Sequence, residues 1–341
     1  MADINRQWLL KERPTGMAGP EHFELVDSPM PEPDLAAGQV LLKNLMLSFD
    51  PAMRGWMMDA PSYLPPVGIG EPMRASGVAQ VVQSENPDLP VGTLVQGLVN
   101  WQEYAVGDPA GMVPPSPLPP GTSPAMALSV FGTTSLTAYF GLLDVGRPQA
   151  GDTVLVSGAA GATGSVVAQI ARLKGCRVVG IAGGPEKCQW LLDACKVDGV
   201  IDYKSESLEE RIAALCPDGV NVFFDNVGGD TLQAAIGHMA DFGRLALCGA
   251  ISGYNDETPR PGPNNLMLLV TRRLRMEGFI VLDYLDRSAE AIAALTEWVE
   301  AGEIAWREDI QEGFENVPAT LQRLFRGENT GKQLLKLADP A

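Results

Sequence analysis

The sequence predicts an α/β chain in two parts, a β-rich first domain and a doubly wound domain whose parallel sheet is covered by helices on both faces. Three observations carry this. Residues 151–175 read as a short β-branched strand, a turn of small residues and an amphipathic helix. After them, apolar strands and helical runs alternate to about residue 301, the rhythm of a parallel sheet. Before them, short apolar runs broken by Pro and Gly fill residues 1–122, and 341 residues with 45% apolar composition are enough for two cores.

In chain order, residues 7–10, 23–26, 40–47, 77–83, 93–99 and 103–106 are the short apolar runs, which predict a small antiparallel barrel or sandwich. A proline-rich linker, 113–120, closes it, and 126–145 reads as helix leading into the second domain. There the predicted strands are 151–157, 176–182, 199–202, 220–225, 243–249 and 276–281. Helices are expected over 165–175, through Leu208 and Ile212, up to Met239, and over 288–301. The tail, with a helix near 315–325 and a strand at 332–337, is left over and is expected to return to the first domain. The boundaries are therefore 1–122 with 302–341 for one domain and 123–301 for the other.

The turn Gly158-Ala159-Ala160-Gly161-Ala162-Thr163-Gly164 is the most informative stretch. A pyrophosphate must reach main-chain N–H groups at a helix start, where unpaired donors and the positive end of the helix dipole lie. Gly161 and Gly164 are expected to give that approach, and Ala168 to let helix and strand pack closely. The spacing A-x-x-G-x-x-G falls short of the full G-x-G-x-x-G fingerprint, and a tight turn without ligand would use the same residues.

An acid that binds the ribose 2′-hydroxyl of NAD is expected about 20 residues further on. Here the second strand ends instead in Gly183-Gly184-Pro185. Lys187 follows in the next helix, and Tyr203 with Lys204 follows the next strand. A cation and a phenol near that ribose suit a 2′-phosphate, so the expected cofactor is NADP. Against this, Lys187 is also what a solvated helix face carries, and Glu186 beside it brings the opposite charge. Because ligands of parallel sheets sit beyond the carboxyl ends of the strands, Asn226, the 248–254 stretch and 279–281 converge on one crevice.

Composition excludes several partners. A net charge of −17 argues against nucleic acid and anionic membrane. No run reaches the roughly 18 apolar residues of a membrane helix, and the polar start Met1 to Arg6 is no export signal, so a cytoplasmic protein is expected. The five cysteines (Cys176, Cys188, Cys195, Cys216 and Cys248) form no C-x-x-C pair and suit reduced, mostly buried thiols. With two histidines, His22 at a strand edge and His238 at a helix end, no metal site is expected.

Several blocks in one order resemble a known family. They are Ser48-Phe49-Asp50-Pro51-Ala52-Met53-Arg54-Gly55, Leu136-Thr137-Ala138-Tyr139-Phe140-Gly141-Leu142, the glycine turn, Asp202-Tyr203-Lys204, Asp225-Asn226-Val227-Gly228-Gly229, the Cys248 to Asn255 block, Glu277-Gly278-Phe279 and Asn329-Thr330-Gly331-Lys332-Gln333. Across essentially its whole length the chain is similar to the zinc-free branch of the medium-chain dehydrogenase/reductase superfamily. Within it, the chain looks like the leukotriene/prostaglandin reductases, alkenal double-bond reductases and curcumin reductases.

The resemblance implies a GroES-like first domain, a Rossmann second domain and NADPH-dependent reduction of the carbon–carbon double bond of an enal or enone. It implies that Lys187 and Tyr203 hold the 2′-phosphate beside Gly183, with Ala160, Gly161, Ala162, Thr163 and Gly164 at the pyrophosphate. Asn226, Cys248 and Asn329 would contact the rest of the cofactor, and the main chain of Phe279, Ile280 and Val281 its carboxamide. Tyr254 would stand at the substrate carbonyl as the catalytic residue, with Ala52, Met53, Trp56 and Tyr63 around the substrate. Pairing of sheet edges would make a homodimer.

The chemistry needs no metal: a donor aimed at the carbonyl oxygen stabilises the enolate formed by hydride addition. Tyr254 is the candidate donor and acid, with water or a ribose hydroxyl as the competing proton source. Many family members carry Tyr where Ala52 stands and Gly where Ser135 stands, so substrate identity stays open. The loop with Trp56, Met57, Met58, Tyr63, Pro65 and Pro66 either covers the site or packs between domains. A quinone reductase and a non-catalytic NADP-binding sensor are the alternative functions.

Overall fold

The computed structural model describes residues 4–258 and 260–341; the first three residues of the polar start lie outside the described residues. The strands are β1 (Ile4–Leu10), β2 (Phe23–Pro29), β3 (Val40–Ser48), β4 (Ser76–Gln83), β5 (Leu94–Leu98), β6 (Tyr104–Gly107), β7 (Ser116–Pro117), β8 (Thr153–Val156), β9 (Arg177–Ala182), β10 (Gly199–Asp202), β11 (Val220–Asp225), β12 (Met239–Leu247), β13 (Arg275–Gly278), β14 (Glu308–Glu312) and β15 (Lys332–Lys336). The chain forms two compact units, one running to Leu128 and resuming over Glu308–Ala341, the other Ser129–Arg307.

The β-rich unit holds an antiparallel pair, β1 with β2, and a seven-stranded sheet in the order β14-β15-β3-β4-β5-β7, with β6 also pairing β3. The expectation of a purely antiparallel unit is corrected at one place: β14 and β15 run parallel. The sequence Glu308-Asp-Ile-Gln-Glu312 carries no apolar run, and its strand is held by pairing and by the Gln333 amide on the Asp309 carbonyl at 2.8 Å. The linker is not free either, since Ser116 and Pro117 pair with β5. A core of fully buried side chains, among them Leu10, Phe49, Met53, Met57 and Trp101, fills this unit. Trp101 packs on Phe23 and Phe49 with ring centroids 4.9 and 5.8 Å apart.

In the second unit six parallel strands run in the order β10-β9-β8-β11-β12-β13. The two halves of this sheet diverge from β8, the order of a Rossmann domain. Val154, Leu155 and Val156 are fully buried, each stabilising the fold by about 1.5–3 kcal/mol. Helices Ala162–Leu173, Pro185–Asp193, Leu208–Leu215, Gly229–Gly237 and Ser288–Glu300 connect or cover the strands.

Three expected elements change. The helix at 126–145 is broken into Pro124–Leu128 and Thr133–Phe140 by extended backbone at Gly132, where the Ser135 hydroxyl donates to the Ser129 carbonyl at 3.1 Å across the break, and a wider turn follows over Gly141–Gly146. Met239 opens β12 instead of ending a helix. The last strand stops at Gly278, leaving Phe279 and Ile280 beyond it. Among the described residues no helix is long and apolar enough to cross a membrane.

Candidate active site

Every strand of the parallel sheet is followed at its carboxyl end by a residue singled out in the sequence. Gly158 to Gly164 follow β8, Gly183 follows β9, Tyr203 follows β10, Asn226 follows β11, Cys248 follows β12 and Phe279 follows β13. Since all six strands are parallel, these residues share one edge of the sheet.

After β8 the chain turns at Gly158 with φ +58°, a left-handed conformation that favours glycine. The helix Ala162–Leu173 starts at Gly161, with no side chain capping it. Ala160 is buried, whereas Gly161, Ala162 and Thr163 are half-buried at the helix start, where N–H donors are open to an anion. Gly164 has a further duty at this turn: a Cβ there would lie 2.3 Å from the Gly158 carbonyl oxygen, so this glycine lets helix and turn touch. Gly158, missing from the expected site, is as necessary, and its place two residues past a β-branched strand was the available signal.

Around the predicted 2′-phosphate position, a Cβ on Gly183 would meet Tyr203 Cε1 at 2.8 Å and Lys204 Cε at 2.9 Å. The bare glycine therefore receives both side chains, which brings Lys204 into the group. Lys187 sits half-buried in the first turn of the helix Pro185–Asp193. The opposing charge of Glu186 is engaged elsewhere, by Arg307 at 3.1 Å. Asp202 is the nearby acid, but its Oδ1 accepts the N–H groups of Gly184 at 2.8 Å and Lys204 at 3.0 Å. Those two bonds hold its carboxyl below the usual range. The set fits a phosphate monoester: two lysines, a phenol and a glycine cradle that a side chain would fill.

The ends of β8, β11 and β12 are tied together. Asn226 donates its N–H to Ser157 Oγ at 2.8 Å and its Nδ2 to the Ser157 carbonyl at 2.8 Å. The Asp225 carbonyl accepts from Cys248 N at 2.8 Å and Gly249 N at 3.1 Å. Beyond them a tight turn, Ile251–Gly253, carries Tyr254. Its phenolic oxygen accepts the Ala250 N–H at 3.1 Å, and a Cβ on Gly249 would come within 2.9 Å of that oxygen. An oxygen that accepts this N–H keeps its own proton as a donor. Phe279 packs edge-on against Phe224 with centroids 6.0 Å apart, in space left by Gly141, whose Cβ would lie 2.1 Å from the Phe279 ring. Ile280 is extended and Val281 opens the next turn, so the main chain of 279–281 leaves the sheet just past its edge.

The remaining expected residues belong to the β-rich unit. Ala52 is half-buried at the start of the short helix Met53–Trp56. Met53 was expected to face substrate; it has no exposed surface and packs in the core, because the preceding Asp50 turn directs it inward. That turn is fixed by Lys332, buried, whose Nζ reaches Asp50 Oδ1 at 2.5 Å and the Phe49 carbonyl at 3.1 Å. Trp56 Nε1 donates to the Tyr63 hydroxyl at 3.3 Å, and Arg74 lies over the Trp56 ring while donating to the Pro65 carbonyl at 2.9 Å. Asn329 is buried, its Nδ2 on the Gly331 carbonyl at 2.8 Å.

Comparison with known proteins adds the following. A family described as the N-terminal domain of oxidoreductase matches residues 6–114, and one described as zinc-binding dehydrogenase matches 162–300. The chain is 40% identical over 339 residues to the NADPH-dependent curcumin reductase of Escherichia coli (strain K12), covering 98% of this chain and 97% of that protein. It is 41% identical over 334 residues to prostaglandin reductase 1 of Rattus norvegicus, covering 97% and 98%. The crystal structure of CurA in complex with NADPH from Vibrio vulnificus superposes with a TM-score of 0.91 at 41% identity, covering 98% of this chain and all of that one.

The residues present do not fit a zinc ion, whatever the second family's description. Among the described residues no group of three or more His, Cys, Asp or Glu could hold a metal. Burial pushes the thiols of Cys176 and Cys216 up to about 11 and that of Cys195 to about 12, so they stand as neutral thiols. His238 is engaged by Glu209 at 2.8 Å.

Proposed function

The chain belongs to the medium-chain dehydrogenase/reductase superfamily and is an NADP-dependent oxidoreductase, and from that premise we propose that it reduces the carbon–carbon double bond of α,β-unsaturated aldehydes or ketones. The observation that carries this reading is the turn after β12, which holds the Tyr254 phenol against the Ala250 N–H on the same sheet edge as the glycine turn and Asn226. We assign 123–301 to NADP and 1–122 with 302–341 to substrate.

Bound NADPH supplies the hydride. Addition at the β-carbon moves two electrons through the conjugated system and leaves negative charge on the carbonyl oxygen. Tyr254 donates a hydrogen bond to that oxygen and stabilises the enolate. The α-carbon then takes a proton, for which the Tyr254 hydroxyl is the proposed source. Lys187, Tyr203 and Lys204 hold the 2′-phosphate, and the helix start at 161–164 holds the pyrophosphate. Asn226, Cys248, Asn329 and the main chain of 279–281 complete the cofactor's contacts. Ala52, Trp56 and Tyr63 shape the substrate side, where the small Ala52 leaves room for bulky acyl groups. The neutral buried thiols suit the cytoplasm.

Consumption of NADPH against a 2-alkenal, an aryl enone and a quinone tests the reading. Turnover of the first two to saturated carbonyl products is expected. Turnover with the quinone alone would replace it with a quinone reductase, and binding without turnover with a sensor.

The same reading includes a homodimer through the end strand β13. On the short helix Met267–Thr271 before it, Met267 and Val270 are each 69% exposed. Exposed apolar side chains beside an end strand support association there. Met267→Glu is expected to shift the mass measured by light scattering from dimer to monomer. A monomeric wild type, or a variant that stays dimeric, would remove this interface.

A further inference from the structure

Among the described residues Asp225 is the one fully buried acid, and no cation is paired with it. A carboxylate in that position is costly unless donors surround it. Its Oδ1 accepts the Ser157 hydroxyl at 2.7 Å and the N–H groups of Val227 and Gly228 at 3.0 Å each, and Oδ2 lies 3.1 Å from the Gly228 N–H. The proton order in this group is fixed by its neighbours. Asn226 N–H occupies Ser157 Oγ as donor, so the single hydroxyl proton of Ser157 points to Asp225.

The consequences run outward in two directions. Through Ser157, the carboxylate fixes the residue that follows β8 and leads into Gly158, and with it the Asn226 amide, whose Nδ2 is bound to the Ser157 carbonyl. Through Val227, it fixes the carbonyl that accepts both the N–H and the hydroxyl of Ser252, at 3.1 and 2.7 Å. Ile251 N–H is held in the same way by the Asn226 carbonyl at 3.2 Å. One buried group thus sets the loops after three adjacent strands, which lie 68 residues apart in the chain at the Ser157–Asp225 bond. A neutral amide of the same size keeps an oxygen at the Oδ1 position for Ser157, Val227 and Gly228, but it turns its Nδ2 against the Gly228 N–H and removes the negative charge that strengthens all of these bonds.

We propose that Asp225 is a positioning residue for NADPH, whose buried carboxylate, acting through Ser157, Asn226 and the 248–254 turn, forms the cofactor-binding edge of the sheet before the cofactor arrives. The proposal rests on the assignment of Asn226 to the cofactor and is independent of the substrate class. It separates two contributions that deletion would merge: contact with NADPH, which belongs to Asn226, and the ordering of that contact, which belongs to Asp225.

The test compares Asp225→Asn, Ser157→Ala and Asn226→Ala with the wild type in NADPH titration calorimetry and in amide hydrogen exchange of the cofactor-free protein. Asp225→Asn is expected to weaken NADPH binding roughly ten- to a hundredfold. In the same variant, protection should fall in 226–229 and 248–254 while β8, β11 and β12 stay protected. Ser157→Ala should show the same pattern with a smaller loss, and it carries the test if the Asp225 variant does not fold. Asn226→Ala should weaken binding without loosening 248–254. Unchanged affinity in both Asp225→Asn and Ser157→Ala, or protection lost equally through the three strands, overturns the proposal. Unchanged affinity in Asn226→Ala overturns the cofactor assignment on which it stands.

Discussion

Tyr254→Phe is expected to lower kcat with an enone by about 100-fold, the usual worth of a positioned acid, while NADPH affinity stays unchanged. The substitution removes one oxygen and little volume. It also breaks the bond from Ala250 N–H, but the turn keeps its other anchors, Ile251 N–H on the Asn226 carbonyl and Ser252 on the Val227 carbonyl. The cofactor edge should therefore stay intact while the enolate loses its donor. Steady-state kinetics together with NADPH titration separate the two effects. An unchanged kcat would give the proton and the oxyanion to water. A parallel loss of NADPH affinity would mean that the phenol only braces the turn.

Lys187→Ala is expected to raise the KM for NADPH by roughly ten- to a hundredfold, the loss of a charge-assisted hydrogen bond, with the KM for NADH nearly unchanged. Specificity for the phosphate comes from a local balance of charge inside a chain whose net charge is −17. Two acids stand close to the lysine, and both are engaged: Glu186 by Arg307, and Asp202 by the N–H groups of Gly184 and Lys204. Lys187 and Lys204 are the cations we assign to the phosphate, beside the bare Gly183 that receives Lys204 and Tyr203. Equal changes for both cofactors would remove Lys187 from the phosphate site.

The parallel sheet was legible because its central strands carry their own apolar signal: Thr153-Val-Leu-Val156 and Val220-Asn-Val-Phe-Phe-Asp225 need only burial on both faces to form, whereas the end strand Arg275-Met-Glu-Gly278 carries little of it. β14 was not, since a strand written Glu-Asp-Ile-Gln-Glu exists through its partner β15 and carries no period of its own. The glycine turn could be found from composition, but the separate duties of its glycines could not. Only the fold shows that Gly158 turns the chain and that Gly164 makes room for the Gly158 carbonyl. Met53 sits beside Ala52 in a motif that resembles a substrate loop, yet the inward face of a single helical turn belongs to the core. Ser157 and Asp225 close two apolar strands. An acid at the end of such a run hints at a buried polar role, but its partner is set by the pairing of β8 with β11, which no local pattern encodes.

The most direct test of the proposed reduction is the position of label after reaction of an aryl enone with NADPH deuterated at the transferring position. Deuterium on the β-carbon of a saturated ketone is the predicted result, with the α-carbon carrying a proton from solvent. Deuterium on the former carbonyl carbon of an allylic alcohol would contradict it, because the hydride would then have been delivered to the carbonyl itself and no enolate would have formed for Tyr254 to stabilise.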